Sequence, residues 1–300
     1  MSRPSISGLL LVTLLTGAML AGRLPSVTAQ EGSPEAGPPG MEVDNLFSTT
    51  LYDLPPAPLP AALARITFDP GSGLSMTANP GPALHFVEEG SFDVLMTGGG
   101  TLVPSATPAT EQIVAPGEEF SIVPGDLLVI PADTPFEVFN NDTTPAVALI
   151  IEFFPRDLSA PLPPGIALQP LVVGEAMESI DGAAVLNLSR VTLAPNAGLR
   201  DQTENGGPAL LYAENGVAAY SIVRGSARIA YAAHDSATPV VPPAGAEDVP
   251  AGAEVPFEAG DAVFEQSGTE RGLRNAGGAP LNYLILTIFP EDREMAMPGP

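Results

Sequence analysis

The chain repeats itself at a spacing too long for a stack of small units. Arg65–Leu74 (RITFDPGSGL) and Arg190–Leu199 (RVTLAPNAGL) are identical at five of ten positions, offset by 125 residues. Gly81–Gly90 (GPALHFVEEG) and Gly207–Gly216 (GPALLYAENG) are identical at six of ten, offset by 126. Gly125-Asp126 then matches Gly260-Asp261, Asn140 matches Asn275, and Phe154-Pro155 matches Phe289-Pro290, all at 135. Solenoid repeats run about 20–50 residues, so this period marks a duplicated domain. The offset grows only across turn-like stretches, mostly in the Pro/Ala-rich loop around 236–255, because loops absorb insertions.

Each copy carries short apolar runs closed by turn residues. In the first copy these include Phe92–Met96, Leu127–Ile130 and Ala146–Phe154; in the second, Ala218–Val223, Ala227–Ala232 and Leu281–Phe289. Runs at intervals of about ten residues predict an all-β sandwich or barrel. Composition agrees, with 31 Gly, 35 Pro and 6% aromatics. Asn215-Gly216 reads as a hairpin turn. Gly98-Gly99-Gly100 lacks the Lys and helix of a phosphate-binding loop and reads as a plain turn.

Residues 1–29 read as a secretory signal, with Arg3, an apolar stretch Leu9–Ala21 and a small-residue cleavage site at Val27-Thr28-Ala29. The apolar stretch falls short of the roughly 20 residues a spanning helix needs. Cleavage is therefore expected, giving an exported product, extracellular or on the outside of the cell envelope. Residues 30–43 read as a flexible tether of Gly, Pro and Glu. There is no Cys, hence no disulfide framework, thiolate metal site or Cys nucleophile. All 11 basic residues are Arg, which excludes a Schiff-base lysine. A net charge of −24 argues against nucleic acid or an anionic membrane surface as partner.

The pattern Gly125-x5-Pro131 with Asn140 nine residues on, followed by a terminal apolar strand, resembles the second motif of the cupins. The stretch Thr77-x-Asn79-Pro80-Gly81-Pro82-Ala83 through Gly90 resembles the first. Both recur in the second copy. The resemblance covers about residues 59–157 and 181–291 and implies a bicupin, two tandem jelly-roll β-barrels. The implied organisation is 1–29 signal peptide, 30–58 linker and incoming strand, 59–157 barrel 1, 158–180 linker, 181–291 barrel 2 and 292–300 tail. Barrel-on-barrel packing within the chain is expected, and the segment around Thr50–Leu54 is a candidate to cross to the second barrel. Oligomeric state stays open.

In metal-bearing cupins three His and one Glu hold a divalent ion inside the barrel. The resemblance puts those positions on Thr77, Asn79, Ala83 and Phe136, and in the second copy on Thr203, Asn205, Ala209 and Arg271. Ala and Phe cannot ligate, Thr and Asn are poor ligands for a transition metal, and Arg brings its own charge. With only His85 and His234 in the chain, no three-His site can be assembled. No metal or other cofactor is expected.

The candidate ligand-binding residues are therefore the cavity positions Thr77, Asn79, His85, Phe136, Thr203, Asn205 and Arg271. By strand alternation, if Ala83 faces inward so do His85 and, in the second copy, Leu211. His85 reads either as a ligand contact or lone base, or as a core histidine bonded to a neighbouring carbonyl or hydroxyl. Arg271 reads as a clamp for a carboxylate or sugar, or as a rim residue paired with Glu270 or Glu265. The Thr and Asn pairs read as cavity hydrogen-bonders or as turn residues before Gly-Pro. Phe136, Phe139, Phe153 and Phe154 read as core. The sequence thus favours a non-enzymatic exported bicupin, binding a small molecule or purely structural. The alternatives are a metal-independent isomerase or epimerase working with cavity side chains and, further off, a metal-dependent dioxygenase.

Overall fold

The computed structural model describes residues 39–52, 54–55, 61–76, 79–105, 111–153, 161–174, 182–203, 207–232 and 246–291. The leader, the tail, Thr77, Asn205 and Phe154-Pro155 lie outside them, and of 200–203 only the backbone is described. Among the described residues every regular element is a β-strand.

The strands form two jelly-roll barrels in tandem, each a seven-stranded sheet closed by a four-stranded one. In barrel 1 the larger sheet runs β12 (Ile166–Val173), β2 (Ala62–Phe68), β11 (Ala146–Glu152), β4 (Ala83–Glu89), β9 (Leu127–Ile130), β6 (Gly100–Val103), β7 (Gln112–Val114). The smaller runs β3 (Gly73–Met76), β10 (Phe136–Phe139), β5 (Phe92–Met96), β8 (Glu118–Ile122). Barrel 2 repeats this with β1 (Met41–Leu51), β13 (Ala184–Leu193), β22 (Leu281–Pro290), β15 (Ala209–Asn215), β20 (Ala262–Glu265), β17 (Ala227–Ala230), β18 (Glu247–Asp248). Its smaller sheet is β14 (Gly198–Thr203), β21 (Glu270–Asn275), β16 (Val217–Arg224), β19 (Glu254–Glu258).

The first strand of each copy completes the other copy's barrel. β1 pairs with β13, Met41 opposite Leu193, and β12 pairs with β2, Ile166 opposite Phe68. Both pairs are related by the same offset of 125. Two boundaries are corrected accordingly. Residues 158–180 are more than a linker, since β12 lies within them, and Met41–Val43 belong to a strand instead of the tether. The reason is that an edge strand is held by backbone pairing, which needs no strong local hydrophobic pattern: β12 alternates Ile-Ala-Leu-Gln-Pro before its buried Leu171-Val172.

Three cores result, and they explain two kinds of strand. The larger sheets face each other, so their central strands are buried on both sides. On β11, Ala148 and Ile150 point into barrel 1 while Leu149 and Ile151 point to the layer between barrels. On β22, Tyr283 and Ile285 point into barrel 2 while Leu284 and Leu286 point to that layer. The smaller sheets have one wet face, so β5 alternates buried Phe92, Val94 and Met96 with half-buried Asp93 and Leu95.

The layer between barrels closes on a ring of four charges. The Arg65 guanidinium donates to Glu88 (2.6 Å from Nε) and Glu214 (2.7 Å), and that of Arg190 donates to Glu214 (2.7 Å from Nε) and Glu88 (2.6 Å). The repeat relates Arg65 to Arg190 and Glu88 to Glu214, so the ring has the approximate twofold symmetry of the duplication. Burial alone would push the Glu214 carboxyl up. The hydrogen bonds and charges of Arg190 and Arg65 outweigh it and hold the group below its ordinary value of 4.5.

Candidate functional site

The motif residues shared by the two copies hold the barrels together. Gly125 and Gly260 adopt φ of 89° and 91°, a region that favours glycine. The next residue ties down two backbone amides: Asp126 accepts from Ser105 N (2.8 Å) and Val123 N (3.0 Å), Asp261 from Ala232 N (2.8 Å) and Glu258 N (2.7 Å). Asn140, fully buried, donates to the carbonyls of Phe68 (2.9 Å) and Thr144 (2.8 Å) and accepts from Asp142 N (3.0 Å). Asn275 does the same with Leu193 O, Ala279 O and Gly277 N, each at 2.8 Å. These side chains pair with backbone groups of the turns around them and with the carbonyls of buried Phe68 and Leu193.

Inside barrel 1, β4 turns Ala83, His85 and Val87 inward, and β15 turns Leu211 into barrel 2. The His85 ring stands edge-on to Phe136 at 5.5 Å and 78°. With Phe68, Phe92 and Ile122 they enclose a cavity of about 20 Å³, room for roughly one water. Asn79, also buried, sits in the loop after β3, where its carbonyl accepts from Asp133 N (2.7 Å). Thr77 lies outside the described residues.

Barrel 2 is built differently. Arg271 on β21 projects inward from the smaller sheet, and Glu265 on β20 meets it from the larger one at 2.6 Å. Their side chains are 3% and 1% exposed, so neither is at the rim. The Tyr220 hydroxyl on β16, also buried, donates to the other Glu265 oxygen at 2.7 Å. Glu270, the other partner considered for Arg271, pairs with Arg224 at 3.6 Å. Glu265 lies across the ladder from Ala209, where the resemblance to the cupins would put a glutamate ligand. Thr203 is in β14, and Asn205 is outside the described residues.

Sequence reading missed Tyr220. A signal existed: by the repeat alignment and pairing register, Tyr220, Glu265 and Arg271 occupy the places of Val94, Ile130 and Phe136. Three inward positions turn polar together. The charge ring was equally visible as two conserved-by-repeat pairs of opposite sign, but which charge meets which depends on how the barrels pack.

The described residues of these interiors do not fit a divalent ion. Ala83, Phe136 and Ala209 offer no donor atom, and Arg271 puts a fixed positive charge, already matched to Glu265, where the ion would be. Among the described residues no three His, Asp or Glu side chains converge on one point.

No protein-family model matches the chain, and no curated protein matches it. Solved structures do. A protein described as glyoxylate-induced from Pseudomonas aeruginosa aligns over 87% of this chain and 83% of its own, at 15% identity and TM-score 0.40. A cupin 2 conserved barrel domain protein from Leptotrichia buccalis aligns over 82% and 89%, at 12% and 0.34. Lactobacillus farciminis oxalate decarboxylase aligns over 77% and 78%, at 12% and 0.37. The chain's own strand order is that of two jelly-roll β-barrels.

Proposed function

We propose that the chain is an exported, non-enzymatic bicupin whose barrel interiors serve as packed cores and take up no divalent ion. One observation carries this reading: protein side chains occupy both places where a cupin would hold its ligand. Phe136 against His85 leaves about 20 Å³ in barrel 1, and the Glu265–Arg271 pair bridges the two sheets of barrel 2. The apolar leader 1–29 supports export. Elemental analysis of the chain from Gln30 to Pro300, purified without chelator, tests the reading. Less than about a tenth of an equivalent of Mn, Fe, Ni, Cu or Zn is expected. A full equivalent of tightly held transition metal would overturn it and restore the metal-dependent dioxygenase class.

A second reading, a metal-independent isomerase or epimerase, is favoured by one feature, the Tyr220 hydroxyl against the Glu265 carboxylate. It requires a substrate that reaches a pair buried to this depth. A thermal-shift screen of sugars and small carboxylates separates the two. A midpoint raised in the native chain and unmoved in Arg271→Ala or His85→Ala would bring this reading forward.

A further inference from the structure

Two clefts much larger than the cavity of barrel 1 lie outside the barrels, along β1. This strand ends its sheet, pairing with β13 on one side, and among the described residues nothing pairs with its other edge. Strands β9 and β6 of the facing sheet form a floor beside that open edge. One cleft, about 420 Å³, runs along Asp44–Ser48 over Val103 and Leu127. The next, about 380 Å³, runs along Thr49–Tyr52 over Thr101 and Val129. The two floors are alternate cross-strand pairs on one face of the sheet, so the clefts lie end to end. Each is roughly twentyfold larger than the cavity in barrel 1.

We propose that this groove binds an extended peptide segment of another protein, added as a strand beside Phe47–Leu51. An unpaired strand edge offers a row of N–H and C=O groups, and a peptide that pairs with it gains affinity from main-chain bonds and specificity from alternate side chains. The register shift between Asn45 and Phe47 interrupts the edge and confines pairing to the five residues beyond it. Five residues span about 17 Å, which sets a short motif. Val103 and Val129, only partly buried, suit small apolar side chains in its middle. Exposed Asp44 stands at one end and exposed Glu111 at the other, which calls for basic residues flanking that middle. A second copy of the chain fits poorly, because two bodies of charge −24 repel. The groove is separate from both barrel interiors, so this inference is independent of what they hold.

Fluorescence anisotropy with the full chain and a labelled heptapeptide, Arg-Thr-Val-Thr-Val-Thr-Arg, tests the proposal. Saturable binding is expected. N-methylation of alternate backbone amides should abolish it, and Asp44→Arg combined with Glu111→Arg should weaken it about tenfold or more, the loss of a favourable interaction of about 1.4 kcal/mol. Both positions are exposed, and an unchanged thermal midpoint verifies that the variant is folded. Failure of the probe to bind, or equal binding of the N-methylated peptide, would overturn the proposal. So would a concentration-dependent dimer in sedimentation that Asp44→Arg dissociates, since a second copy would then be the occupant.

Discussion

Barrel 1 and barrel 2 place different chemistry on the same three inward positions. Barrel 1 has Val94, Ile130 and Phe136, all within its apolar core. Barrel 2 has Tyr220, Glu265 and Arg271, joined by bonds of 2.7 and 2.6 Å. The backbone around them is the same: each barrel has seven and four strands, and each is pinned by the same Gly, Asp and Asn. The jelly-roll frame is therefore indifferent to whether its centre is greasy or ionic, provided that every buried charge has its counter-charge. The Gly, Asp and Asn that the two copies share hold backbone in both, while the inward residues they do not share fill each barrel's core.

Disturbing one charge has the largest expected effect. Arg271→Phe, which installs the residue barrel 1 carries there, leaves Glu265 buried without its cation. A loss of about 3–5 kcal/mol of barrel 2 stability is expected in denaturant unfolding. A loss under about 1 kcal/mol would mean that Glu265 is solvated or neutral, and the ionic reading of this core would fall.

To the charge ring between barrels each copy contributes one equivalent Arg and one equivalent Glu. Glu214→Gln should cost about 1–2 kcal/mol, less than a fully buried pair because the ring is partly exposed. Because the fold holds the Glu214 carboxyl below its ordinary 4.5, the stabilisation is fully present above that pH and is lost as pH falls through the lower folded value. Thermal midpoints measured from pH 6 down to 3 should therefore drop less steeply in Glu214→Gln than in the native chain.

The smallest expected change is the most telling. The triple variant Tyr220→Val, Glu265→Ile, Arg271→Phe turns the centre of barrel 2 into that of barrel 1 and removes all three polar groups together. Replacing a buried ion pair by apolar side chains is often neutral, so a stability within about 1 kcal/mol of the native chain is expected. A triple variant as damaged as Arg271→Phe would show that the two frames differ in shape as well as in polarity.

Much of the frame was legible in the chain. Phe92–Met96 and Leu127–Ile130 are the limits of β5 and β9, because a strand with a dry face announces itself in its apolar run. The inward direction of His85 followed from the same alternation. The pairing of Arg271 was legible only as two alternatives, because Glu265 and Glu270 are both close in sequence and only burial separates them. Strands β1 and β12 were harder to read as parts of the opposite barrels, since their pairing is a property of backbone edges.

The sequence alone carried the internal repeat and the β architecture. Each of these depends on residue type and on spacing within a strand or a repeat. Tertiary structure alone decided which charges meet and where space remains. Arg65 bonds Glu214 across 149 residues, and the clefts along β1 are floored by β6 and β9 of the other barrel. Such features are set by how finished surfaces pack, which no local pattern encodes.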